Sequence, residues 1–120
     1  MRSPHELPLT PLTMAILLAL AKDDQHGYAL MQEVEAQTDG AIVPGTGSLY
    51  AALQRLLDEG LIADSARRPS AGEDRRRKYF RITEAGRTAA RAEAARMMRV
   101  LETAREKRLI TSLASLRGVR

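Results

Sequence analysis

The 120-residue chain contains no cysteine and no tryptophan. Without cysteine there is neither a disulfide framework nor a thiolate metal site, and the lack of thiols suits the cytoplasm. Aromatic residues are 3% of the chain although hydrophobic residues are 44%. The core must therefore rest on Leu, Ala, Ile, Val and Met. Long apolar runs are missing too. The longest, Met14 to Ala21, falls well short of the ~20 residues that span a bilayer. It also lacks the charged n-region of a signal peptide, so no membrane association is expected.

Histidine is scarce as well. Only His5 and His26 could serve as imidazole bases. His5 falls in a polar, proline-punctuated arm over residues 1–8, and His26 reads as a turn or cap residue. Pro44-Gly45-Thr46-Gly47-Ser48 places glycines before a helix. It has neither the lysine nor the preceding strand of a phosphate-binding loop. The expectation is a protein that is not an enzyme, with no cofactor and no metal.

What the chain does have is charge in the wrong proportion for an even surface. The net charge is +4. Residues 1–65 carry three basic groups against nine acidic ones. Residues 66–83 carry seven basic groups against two acidic, and residues 84–120 carry nine against four. Confining the positive charge to the second half gives a directional field, which attracts phosphate. A solvated charged surface is the plainer meaning of such runs.

Residues 10–22 are almost wholly apolar. Met14, Leu17, Leu18 and Ala21 follow one helix face, and Leu12, Ile16, Ala19 and Leu20 the other. A helix that is apolar all round needs cover all round, which points to a second subunit on the Leu12, Ile16 and Leu20 side. Asp23-Asp24-Gln25-His26-Gly27 is a turn with acidic cap candidates. A second helix spans about 27–38, with Tyr28, Leu30, Met31 and Val34 as its buried stripe. A third spans about 46–59, capped by Thr46 or Ser48. Leu49, Leu53, Leu56 and Leu57 form its core stripe, and Gly60 fits the left-handed position beyond it. A strand over 61–65, a loop over 67–74 and a strand over 78–83 follow. In the second strand Phe80 and Ile82 face one side, Tyr79 and Arg81 the other. Thr83 caps a long last helix, with Glu84 at its positive end. Ala94, Met97, Leu101 and Ala104 make a narrow seam on it, suited to pairing with another helix. Leu109, Leu113 and Leu116 continue an apolar spacing.

Three helices, a ribbon with a cationic tip and a long helix give a mainly α chain with a small β-ribbon. This is a winged helix-turn-helix followed by a long C-terminal dimerisation helix. The expected organisation is a flexible arm over 1–8, a winged helix domain over 9–83 and a helical dimerisation segment over 84–120.

Four motifs carry a resemblance to a known family. They are His26-Gly27-Tyr28-Ala29-Leu30, the run from Gly47 to Leu56, Glu59-Gly60-Leu61-Ile62, and the run from Arg77 to Gly86. Over about residues 9–108 the chain resembles the PadR family of bacterial transcriptional regulators, in its short subgroup with a single C-terminal helix. The resemblance implies a homodimer that binds a palindromic operator in double-stranded DNA, usually as a repressor. The family often has proline where Ala51 stands and an aromatic near Asp64. Drug-binding members use a tryptophan at the dimer interface, so their ligand mode does not transfer to this chain.

On the exposed side of the third helix, Gly47 and Ala51 are small enough to let the backbone approach a groove floor. Ser48 can donate to a base or a phosphate, and Gln54 has the paired donor and acceptor that suit adenine. Arg55 suits phosphate. Tyr50 lies on the border, with a hydroxyl for the backbone or a half-buried place in the core. Tyr28 either contacts the backbone or packs on the third helix. Arg75, Arg76, Arg77 and Lys78 cannot all face one surface of a strand, so two or three are expected at phosphate or in the minor groove. Arg67 and Arg68 are weaker candidates. The expected function is a sequence-specific regulator; the alternative is a winged helix that binds protein rather than DNA. A small-molecule effector of unknown identity could sit between the dimer's helices, where no convergent polar anchor is apparent.

Overall fold

A computed structural model describes residues 8–69, 71, 72 and 76–112. Its elements run α1 (Pro11–Lys22), β1 (Gln25–His26), α2 (Gly27–Gln37), α3 (Thr46–Asp58), β2 (Ile62–Asp64), β3 (Tyr79–Ile82) and α4 (Glu84–Glu106). The expected arm residues 1–7, with His5, and Leu113 and Leu116 lie outside the described residues.

α1 starts where Thr10 accepts the Thr13 N–H at 3.1 Å and Pro11 supplies a ready-made helical φ. The helix packs against α2, α3, α4 and β3. This enclosure corrects the expected dimer face. Ile16 is 0% exposed and Leu20 1%, both in the chain's own core, and Leu12 is partly buried against that core. All-round apolarity is satisfied within one chain because four elements surround the helix. Leu18 is the large apolar side chain of α1 that stays exposed.

His26, not an aspartate, caps α2: its Nδ1 accepts the Ala29 N–H at 3.2 Å. Asp24 instead accepts from the Ser65 hydroxyl. Leu30 and Val34 are buried as expected, but Tyr28 is exposed, because the first turn of α2 faces the wing rather than the core. α3 has Gly45 at its N-cap and no side-chain cap, so Thr46 is its first residue rather than its cap. Leu49, Ala52, Leu53 and Leu56 are buried and Leu57 is partly so. At its end Gly60 has φ +75°. The Leu61 N–H reaches the Leu56 carbonyl at 2.9 Å and the Gly60 N–H reaches Leu57 at 3.1 Å. These are the paired bonds of a Schellman turn.

The turn delivers the chain into an antiparallel sheet of order β1-β3-β2. Ile62 opposes Ile82 and Asp64 opposes Phe80, while His26 opposes Tyr79 on the other side. β1 is the strand not foreseen from the sequence. It covers Tyr79, which lies on the strand face opposite Phe80 and Ile82 and is nevertheless 3% exposed. The His26 ring meets it edge-on at 5.2 Å, and the Arg67 guanidinium lies 4.7 Å from its centroid.

Thr83 caps α4 by accepting the Gly86 N–H at 3.0 Å, and its hydroxyl donates to the Gly60 carbonyl at 2.7 Å. α4 packs tightly only at its start. Gly86, Ala89 and Glu93 are buried, whereas Met97, Met98 and Val100 are exposed. Among the described residues no helix is long and apolar enough to cross a membrane.

Candidate nucleic-acid interface

Helical spacing of 100° per residue places Gly47, Ala51, Gln54 and Asp58 opposite the buried leucines of α3. Tyr50 lies on one border of this stripe, Ser48 and Arg55 on the other. All of these residues are exposed. The Gln54 Nε2 donates to the Asp58 Oδ1 at 2.9 Å, one turn along the helix. That bond uses one of the two Nε2 protons and leaves the Oε1 acceptor of Gln54 for a base contact. Arg55 lines a shallow hollow with Pro8, Thr10 and Glu59, at the start of α1 and away from Tyr50.

The glycines of this surface differ in why they are glycine. A Cβ on Gly45 or Gly47 would meet nothing within 4 Å. Neither packing nor a left-handed φ demands glycine there. A Cβ on Gly27 would collide with the Tyr50 hydroxyl. That close approach brings the start of α2 against the border of α3.

The wing closes over the same corner. His26, Gly27 and Tyr28 at the start of α2, Tyr50 of α3 and Arg76, Arg77 and Lys78 of the wing line a pocket of about 380 Å³. The Arg77 guanidinium is 6.0 Å from the Tyr28 ring centroid, and its Nη1 is 3.1 Å from the His26 Nε2. Lys78 pairs with Asp64 at 3.3 Å, both side chains well exposed, so this pair contributes little to stability. Arg75 lies outside the described residues. The structure thus brings Tyr28, Tyr50, Arg76, Arg77 and Lys78 together, leaves Ser48 and Gln54 on the adjoining helix face, and sets Arg55 apart. Arg67 and Arg68 are tied to backbone carbonyls instead, Arg67 to Asp24 at 2.7 Å and Arg68 to Ala66 at 2.9 Å.

Away from this corner, a groove of about 270 Å³ runs between α1 and α4, with Met14, Leu18, Ile42 and Met97 in its walls. Met97 is 50% exposed, Ala94 is exposed, and Leu101 and Ala104 are half-buried. The groove also holds Glu93, which the sequence did not single out. Its carboxylate is nearly buried. It accepts the Leu9 N–H at 3.3 Å and bonds Arg96 Nε and Nη2 at 3.1 and 3.0 Å. The available signal was its spacing, four residues beyond Ala89 on the packed stripe of α4.

Residues 16–92 match the family described as Transcriptional regulator PadR-like family. The chain is similar to the transcriptional regulator YqjI of Escherichia coli strain K12, with 35% identity over 75 residues. That match covers 62% of this chain and 33% of the relative, so the chain spans about a third of its length. Among solved structures, a PadR-like transcriptional regulator from Bacillus cereus superposes with a TM-score of 0.67 at 25% identity, covering 79% of this chain and 88% of that one. Bacillus subtilis PadR, solved in complex with operator DNA, superposes with a TM-score of 0.57 at 24% identity, covering 68% and 45%.

Proposed function

Because the chain belongs to the PadR-like family of transcriptional regulators, we propose that it is a sequence-specific DNA-binding repressor. It acts in the cytoplasm as a homodimer on a palindromic operator. α3 enters the major groove, and the wing lies on the backbone and adjoining minor groove. The observation that carries this is the joining of two unlike surfaces. The exposed face of α3 is small and uncharged over Gly47, Ser48, Ala51 and Gln54, and beside it the wing cations gather with Tyr28 and Tyr50. Small neutral groups discriminate base edges and cations hold phosphates, which is the division of labour DNA recognition uses. The Bacillus subtilis relative, solved with operator DNA, supports the same use of this fold.

The partner surface for a second copy is the α1–α4 groove and the exposed Leu18, Met97, Met98 and Val100 around it. A small-molecule effector would enter the same groove, with Glu93 as its polar anchor.

Fluorescence anisotropy on duplex DNA tests the reading. A dimer making about 6–10 phosphate contacts gives a log–log salt slope of about −5 to −9, a loss of about 10³–10⁵ in affinity between roughly 50 and 200 mM salt. Binding that ignores salt, or a stable protein complex without DNA affinity, would favour the protein-interaction alternative.

A further inference from the structure

Asp58 ends α3 on the stripe that also holds Gly47, Ala51 and Gln54, and its side chain is exposed. Neither stability nor affinity explains an aspartate there. Aspartate is a poor helix former, and a negative charge in the last turn opposes the helix dipole. On a face proposed to meet DNA the same charge repels the phosphates. Nor is it neutralised. Among the described residues no cation pairs with Asp58. Arg55, three residues earlier, lines the hollow beside Glu59. The bond that Asp58 does make is to Gln54, whose Nε2 donates to its Oδ1 at 2.9 Å.

That bond gives the amide a direction. An ionised carboxylate only accepts, so it takes the NH₂ end of Gln54 and turns Oε1 away. A flipped amide would set two acceptors against each other. With one Nε2 proton held by Asp58, the other proton and Oε1 stay free, one donor beside one acceptor. In the major groove adenine offers the converse pair, an N6–H donor and the N7 acceptor. Guanine offers two acceptors, O6 and N7, and calls for two donors. Gln54 has given one of its donors to Asp58, so it meets guanine with an acceptor against an acceptor.

Resting on the reading of α3 as the helix that enters the major groove, we propose that Asp58 is a positioning residue for sequence readout. It acts through Gln54 rather than on a base. It holds the amide in the orientation that selects adenine over guanine. Specificity is a difference between affinities, so a charge that weakens binding to every duplex can still sharpen the choice among them.

Random duplex selection with wild type supplies a consensus duplex and its single-base variants. A scrambled duplex of equal length reports non-specific binding. Wild type, Gln54→Ala, Asp58→Ala, Asp58→Asn and the double alanine variant are titrated on this set by anisotropy, with thermal melting as the fold check. Gln54→Ala is expected to lose about tenfold in preference for adenine over guanine at one position per half-site, the scale of a bidentate base contact. Asp58→Ala is expected to lose that preference at the same position and to bind the scrambled duplex at least as tightly as wild type. Asp58→Asn offers Gln54 a donor as well as an acceptor, so it fixes neither orientation and is expected to behave as Asp58→Ala does. The double variant is expected to lose no more at that position than Gln54→Ala alone, because the two side chains act as one unit. Both Asp58 variants are expected to melt as wild type does; should one melt early, the other carries the test.

A folded Asp58 variant that keeps the wild-type preference, or that gains the same factor on every duplex, overturns the positioning role while leaving DNA binding intact. So does unchanged preference in Gln54→Ala, or a change at different base pairs in the two single variants. A shared position that selects a base other than adenine overturns it as well. Absence of salt-sensitive binding by wild type, or of any common selected sequence, overturns the reading of α3 along with the proposal.

Discussion

Packing demands glycine at Gly86 but not at Gly47. Gly86 opens α4 directly against the Leu61 carbonyl, and a Cβ there would collide with it. Gly86→Ala must push helix and turn apart, at a cost of about 1–3 kcal/mol, the range for overpacking. Urea unfolding measures this directly. Gly47 faces open space. Gly47→Ala is expected to stabilise the chain by about 0.5 kcal/mol, because alanine restricts the unfolded chain and suits a helix. The same change is expected to weaken DNA binding, because it adds a methyl where α3 is proposed to meet the groove. A variant that is more stable and binds worse separates the two roles in one protein. Residue by residue, the sequence was most legible where one helix face decided burial. The leucines of α3 and the left-handed Gly60 follow from spacing alone. Tyr79 did not, because its cover comes from His26 and Arg67, which lie far away in sequence. Tyr28 failed in the opposite sense, since the first turn of α2 faces the wing.

Among the elements, α3 and the wing carry unlike tasks. α3 bears Arg55 against Asp58 and is charge-poor on the face proposed to meet DNA, whereas Arg76, Arg77 and Lys78 sit together at the wing. Replacing Arg76 and Arg77 with Ala is expected to weaken binding to every duplex alike. It should flatten the salt slope by about 0.9 for each phosphate that the wing no longer neutralises. Ser48→Ala is expected to leave that slope alone and to change which base is preferred at one position per half-site. Anisotropy on a panel of single-base variants distinguishes these outcomes. The order of the elements was readable because each helix and the two-stranded ribbon leave periodic traces. β1 leaves none, since two residues cannot display a period. α1 misled in a different way. Its apolarity on all sides was clear, but periodicity does not say what covers a helix, and here α2, α3, α4 and β3 do so within the chain.

At the scale of the molecule, burial ends partway along α4. Beyond Glu93 the helix exposes Met97, Met98 and Val100, and Leu18 of α1 borders the same groove. In the proposed dimer a second copy covers these side chains of the 23-residue helix, which makes the interface the same patch on both chains. Met97→Glu puts a charge into that patch and is expected to give monomers in sedimentation equilibrium, with the fold retained, because Met97 contributes little to the chain's own core. A two-fold dimer carries two copies of α3 and two wings, so its binding site must carry the same symmetry. Selection from a random duplex library measures that symmetry directly. The expected product is a pair of inverted half-sites with centres about one helical turn, or a whole number of turns, apart. Recovery of a lone asymmetric half-site, or of no common sequence, would contradict a dimeric protein that reads DNA through α3 and holds it by the wing.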